Sequence, residues 1–174
     1  MKKLAFLLLA LFLLGFNYGC SRNCEESCRE FNSSKFCKRI CENEIFDPKW
    51  KFLGFDKLGT AVFFYIEDTN QNIVKVWEKG IYSERGKQSY IKYRIQNKLN
   101  VIGYENFDYN LTLYKIDCFK KRYQTLEFID YASDGLILDD VNVPEFLADL
   151  SEWSSILPDS VIEGLFKKVC KIKE

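Results

Sequence analysis

Cys118 and Cys170 constrain this chain more than any other pair of positions. Cys118 closes the strand pattern Tyr114-Lys115-Ile116-Asp117-Cys118, and Cys170 lies on the apolar stripe of a C-terminal helix. Three signals announce that helix: Pro158-Asp159, a Ser160/Glu163 capping box, and apolar residues at Val161, Ile162, Leu165, Phe166, Val169 and Cys170. Lys167, Lys168, Lys171 and Lys173 gather at its end, where the helix dipole favours cations. A bridge between the two cysteines closes a loop of about fifty residues and contributes roughly 4 kcal/mol on chain-entropy arguments. It would dock the helix on the sheet. Two unpaired core cysteines are the alternative, since free Cys is commonly buried.

Met1-Lys2-Lys3 and the apolar run from Leu4 to Phe16 have the basic start and short hydrophobic core of a secretory signal, too short for the roughly 20 residues of a spanning helix. Residues 1–19 are read as a signal peptide. Cys20, after Gly19, resembles the lipid-modification site of bacterial lipoproteins, with Asn17 and Tyr18 where an aliphatic and a small residue are usual. The chain has seven cysteines; with Cys20 set aside, six remain to pair in an oxidising compartment. Ordinary signal cleavage, leaving Cys20 as a free or intermolecular thiol, is the rival reading.

Cys24 and Cys28, then Cys37 and Cys41, each stand four residues apart, which puts each pair on one helical face around an Asn32-Ser33-Ser34 turn. An antiparallel hairpin would join Cys28 to Cys37 near the turn and Cys24 to Cys41 further out. A four-Cys zinc site is the alternative, although zinc sites more often show a two-residue spacing between cysteines. Residues 20–47 thus read as a Cys-rich helical hairpin, a spacer between membrane anchor and domain.

From Trp50 onwards the pattern changes to strands. Ala61–Ile66 and Ile73–Trp77 are rich in β-branched and aromatic residues and are joined by the turn Asp68-Thr69-Asn70-Gln71-Asn72. Leu111–Cys118 and Arg122–Tyr131 form a further antiparallel pair across Phe119-Lys120-Lys121. Ser133-Asp134-Gly135 turns the chain into Leu136-Ile137-Leu138, and Pro144 opens a partly helical segment carrying Phe146, Leu147, Leu150, Trp153 and Ile156. Residues 48–174 are therefore expected to be one α+β domain, an antiparallel sheet packed against the C-terminal helix.

Histidine is absent, which removes Ser-His-Asp and Cys-His catalysis and every His-ligated metal site. No catalytic or cofactor signature is present, and neither a metal nor a cofactor is expected. Asp139-Asp140 lacks a third ligand at a useful spacing, and Asp68–Asn72 lacks the glycine and terminal Glu of a calcium loop. Twenty-five basic residues balance twenty-five acidic ones, so nothing at whole-chain level points to nucleic acid. Recognition must be local. Ser83–Ser89 reads as a polar loop, leading into a strand Tyr90–Ile95 in which basic and apolar residues alternate. Arg85, Lys87, Tyr90, Lys92, Tyr93 and Arg94 are the candidate partner-binding residues, on the pattern of cations beside aromatics common at interfaces; a solvated strand face with an exposed loop is the alternative.

Trp50, the aromatic strand around Tyr65, Val74–Trp77, Ile116-Asp117-Cys118, Arg122-Tyr123, Ser133-Asp134-Gly135, and Pro158-Asp159-Ser160 leading to Val169-Cys170 together resemble the bacterial surface-adhesin protein E family over about residues 50–171. The resemblance implies a curved antiparallel sheet with a C-terminal helix against it, and an outer-membrane lipoprotein that binds host matrix proteins such as vitronectin and laminin. The hairpin from Cys24 to Cys41 is not part of that pattern. The expected protein is a non-enzymatic, lipid-anchored binding module of the cell envelope, in the outer membrane or periplasm, with a matrix or envelope protein as partner. A homodimer is left open, as is an assembly role through the Cys hairpin.

Overall fold

The structure is a computed structural model that describes residues 28–29, 33–46, 48–144 and 152–170. The leader, Cys20, Cys24, Phe146, Leu147 and Leu150 lie outside the described residues, as do Lys171 and Lys173.

Helix α1 (Ser34–Phe46) precedes strands β1 (Lys51–Phe55), β2 (Ala61–Asn70) and β3 (Ile73–Ile81); helix α2 (Glu84–Gln96) follows. Strands β4 (Phe107–Asp117), β5 (Arg122–Ala132) and β6 (Ile137–Asn142), the two-residue β7 (Ser154–Ser155) and helix α3 (Val161–Val169) complete the chain. The strands form one antiparallel sheet in the order β1-β2-β3-β4-β5-β6, with β7 paired to the start of β5. The fold is α+β, as the sequence implies. From β1 to β6 sequence-adjacent strands are neighbours, even across the α2 insertion, because β3 and β4 still pair from Ile73↔Asp117 to Ile81↔Tyr109.

The turns follow from local chemistry. Gln71-Asn72 alone link β2 to β3, with Gln71 in the left-handed region at φ 52°. Between β4 and β5, Asp117 Oδ1 accepts from the Phe119 and Lys120 N–H groups while Oδ2 accepts from Arg122 Nε at 3.1 Å. Burial works to raise the Asp117 pKa, but the Lys120 N–H and the Arg122 side chain outweigh it and hold the carboxylate below its usual range. Ile116-Asp117-Cys118 is thus a strand end, a turn cap and a staple in consecutive residues.

Because strand side chains alternate, the sheet has two different faces. On the first, Ala61, Phe63 and Ile81 pack with Trp50 and with Ile40 and Cys41 of α1. On the second, Phe64, Val74, Val76 and Ile116 pack with Ile162, Leu165 and Val169 of α3. Full burial of side chains such as Ile40 and Leu165 stabilises by about 1.5–3 kcal/mol each. Helix α1, which the sequence reading places in the Cys-rich hairpin, packs Phe36, Ile40 and Cys41 into this core.

Helix α3 begins as expected. Ser160 Oγ accepts from the Glu163 N–H at 3.2 Å, and the Glu163 carboxylate reaches back, to Asp159 N–H at 3.0 Å. Cys118 is bonded to Cys170 and Cys28 to Cys37, with Cα atoms 5.5 Å apart in each pair. Cys41 is disulfide-bonded as well; its expected partner, Cys24, is outside the described residues. These disulfides call for an oxidising, extracytoplasmic compartment. Among the described residues no helix is long and apolar enough to cross a membrane.

Candidate functional site

The segment read as a loop and a strand is a helix, and this changes what its basic residues do. Ser83 is the N-cap of α2, its Oγ accepting from Gly86 N–H at 3.0 Å and donating to Leu58 C=O at 2.7 Å. Glu84 sits in the first turn, where a carboxylate suits the dipole. At the other end Lys98 adopts φ 57°, and the Lys98 and Leu99 N–H groups return to Ile95 and Arg94 C=O, a Schellman closure with lysine in the position glycine usually fills. Polar helix-formers dominate the segment, and they happen to alternate with Tyr90, Ile91 and Tyr93 closely enough to mimic a strand. The caps were the missed signal.

With a period near four, Gly86, Tyr90 and Arg94 turn towards the sheet. A Cβ on Gly86 would meet Thr60 Oγ1 at 2.7 Å, so glycine permits the close approach of the first turn. Arg94 is 2% exposed and fully engaged. Its Nε donates to Asn100 C=O at 2.7 Å, Nη1 to Asp130 Oδ2 at 3.1 Å, and Nη2 to Asp139 Oδ2 at 2.6 Å, while Cζ lies 4.2 Å from the Tyr104 ring centroid. Asp130, with no exposure at all, also accepts from the Tyr104 and Tyr90 hydroxyls at 2.6 and 2.9 Å through the same oxygen. Its Oδ1 has no hydrogen-bond partner among the described residues. Burial pushes Asp130 upward in pKa, against the Tyr104 and Tyr90 hydrogen bonds and the Arg94 charge. The Tyr104 and Tyr90 hydroxyls are also driven upward, chiefly by burial. Tyr82, Tyr90, Tyr104 and Phe107 pack their rings around this knot.

Of the six candidate binding residues, Arg94 is therefore an anchor and is not offered to a partner. A buried guanidinium with two carboxylates was not legible because neither Asp130 nor Asp139 is near it in sequence. Tyr90 is half-buried, and Lys87 lies 3.4 Å from Asp108 and 3.5 Å from Glu84. Arg85, Lys92 and Tyr93 remain in solvent, Tyr93 at 53% exposure. Beside them stand side chains the sequence reading did not single out: Ile95, Leu99 and Ile102, the last 82% exposed. The outer side of α2 and the loop after it thus form a mixed cationic and apolar surface on a fixed element.

A second buried carboxyl lies on the same sheet face. Glu78 of β3 pairs across to Thr112 and Phe64, and its Oε2 is closed off without a hydrogen-bond partner among the described residues. Burial, with the Asp56 carboxylate adding to it, pushes its pKa up to about 7. Among the described residues no group of three or more acidic or cysteine side chains could hold a metal ion.

No known family model, curated protein or solved structure matches this chain.

Proposed function

We propose that this chain is a non-enzymatic binding module of the cell envelope, held at a membrane through lipid on Cys20, whose recognition surface is the outer side of α2 with the following loop. One observation carries the reading. Tyr90 and Arg94 fix α2 from beneath, and the residues left outside combine cations, Arg85 and Lys92, with exposed Tyr93, Ile95, Leu99 and Ile102. A helix held at its inner side presents such a surface at little ordering cost, which favours binding. Exposed aromatic and aliphatic side chains next to one another mark interaction sites more often than scattered ones do. The resemblance to the surface-adhesin protein E family supports a protein partner of the matrix or envelope. The assembly role has less room, because the apolar side of α1 is already taken up by the sheet.

The test is surface plasmon resonance of the protein against purified vitronectin, laminin and solubilised envelope proteins. A Lys92→Ala/Tyr93→Ala/Ile102→Ser variant should lose binding about tenfold or more while melting at nearly the same temperature, since exposed substitutions shift stability by about 0.5 kcal/mol or less each. Undiminished binding by the folded variant would refute this surface. The lipid is tested separately: Cys20→Ser should move the protein from the membrane to the soluble fraction.

A further inference from the structure

Between the first turns of α1 and α2 lies a cleft of about 540 Å³, lined chiefly by Lys35, Phe36, Arg39, Glu84 and Arg85. Residues from the Cys hairpin and from the basic segment, fifty positions apart in sequence, meet there. The link is Asp108 at the start of β4. Its Oδ1 accepts from Arg39 Nη1 at 2.8 Å and lies 3.4 Å from Lys87 Nζ. Lys87 also lies 3.5 Å from the Glu84 carboxylate.

These contacts decide the charge left over. Asp108 is occupied by Arg39 and Lys87, and Glu84 is partly neutralised by Lys87. Lys35 and Arg85 have no counter-ion among the described residues and are exposed. Arg39 is held on one side by Asp108 and lies with Cζ 5.8 Å from the Phe36 ring centroid, yet its side chain remains 44% exposed. An arginine positioned in this way is ready for bidentate contact with a carboxylate, with little rotamer freedom left to lose. In a chain with no net charge, this is a local cationic cleft with an aromatic floor.

Exposed positive charge continues beyond the cleft. Lys92 is seven residues further along α2, two turns on the same exposed side, and at 1.5 Å per residue that is about 10 Å. An extended peptide in the polyproline II conformation covers about 9 Å in three residues and brings side chains three apart onto the same side. We propose that the cleft receives an acidic side chain from an extended segment of a partner protein, its carboxylate held by Lys35, Arg39 and Arg85, with Lys92 meeting a second carboxylate three residues along. This rests on the outer side of α2 being the recognition surface, and it names the chemistry that surface reads.

The probe is a fluorescein-labelled peptide with glutamates at every third position, its Glu→Gln counterpart, and an isomer with the glutamates contiguous, measured by anisotropy on the folded chain. Lys35→Ala/Arg85→Ala should weaken the spaced peptide about tenfold or more, as loss of charged hydrogen bonds does. Lys120→Ala/Lys168→Ala removes two exposed charges elsewhere and should change it less than about twofold. The Gln peptide should bind no better than to the double cleft variant, and the spaced peptide should bind more tightly than the contiguous one. Equal weakening by the two double variants, or equal binding of Glu and Gln peptides, would overturn the proposal. So would displacement by a heparin-derived oligosaccharide at lower concentration than by the peptide, which would assign the cleft to sulfated sugar. If Lys92→Ala/Tyr93→Ala/Ile102→Ser abolishes partner binding while Lys35→Ala/Arg85→Ala leaves it whole, the recognition surface stands and the acidic-segment proposal falls.

Discussion

Helices α2 and α3 lie on the same face of one sheet, each opened by a serine N-cap, yet they are held there by opposite means. Helix α3 lays down Ile162, Leu165 and Val169 and is tied by Cys118–Cys170. Helix α2 sets down Gly86, Tyr90 and Arg94, with no aliphatic side chain fully buried, and is tied by a guanidinium shared between Asp130 and Asp139. The apolar attachment gains stability from each buried group separately. The polar one works only as a whole, since removing one member of a buried ion pair leaves the other charge uncompensated. It leaves Ile95 and Tyr93 free to face solvent, which an amphipathic helix of the α3 kind would have used for its own docking.

The largest effect is expected at that knot. Arg94→Met should destabilise the protein by about 3–5 kcal/mol, because Asp130 would be left buried with only two tyrosine hydroxyls. Replacing Asp130 and Asp139 by Asn in the same background should recover part of the loss if the cost is unpaired charge. Denaturant unfolding of the single and triple variants measures it. An Arg94→Met cost below 1 kcal/mol would put the attachment of α2 elsewhere.

The corresponding change under α3, Cys118→Ser/Cys170→Ser, should cost about 2–4 kcal/mol, as removal of a bridge closing 52 residues does. The loss should be confined to stability. Without the bridge Leu165 and Val169 still pack on Val76 and Ile116, so far-ultraviolet circular dichroism at low temperature should be nearly unchanged.

These two attachments also explain what the sequence could and could not reveal. Helix α3 announces itself because a capping box and an apolar stripe are local patterns. The sheet strands were found for the same reason, although β2 and β3 run further, to Asn70 and Ile81, than their apolar cores suggest. Helix α2 has no apolar stripe, and beyond its Asn97 C-cap Lys98 in the left-handed region gives no compositional sign. Its partners Asn100, Asp130 and Asp139 are fixed by strand register, which no local window contains. The cleft was hidden likewise, since Lys35 and Arg85 come together only after α1 has packed on the sheet.

A pH-dependent effect of comparable size is expected from Glu78 on the same sheet face. Glu78 holds its proton to about pH 7 in the folded state and to about 4.5 when unfolded. Between those values the folded form binds the extra proton, so stability is full below about pH 4.5 and declines as pH rises through 7, by on the order of 3 kcal/mol in total. Glu78→Gln should flatten this slope. If the variant and the parent lose stability in parallel between pH 5 and 8, as about equal slopes in urea midpoints, Glu78 is not the titrating group.

Amide hydrogen exchange of the parent and of Arg94→Met, followed helix by helix, tests the account most directly. In the parent, the amides of α2 from Gln88 to Gln96 should be protected to a similar degree as those of α3 from Leu165 to Val169. In Arg94→Met, under conditions where the protein remains folded, α2 should lose protection by about a hundredfold or more while α3 keeps its own relative to global unfolding. If α2 is unprotected in the parent, or keeps its protection without Arg94, the claim that a buried arginine holds α2 on the sheet is contradicted.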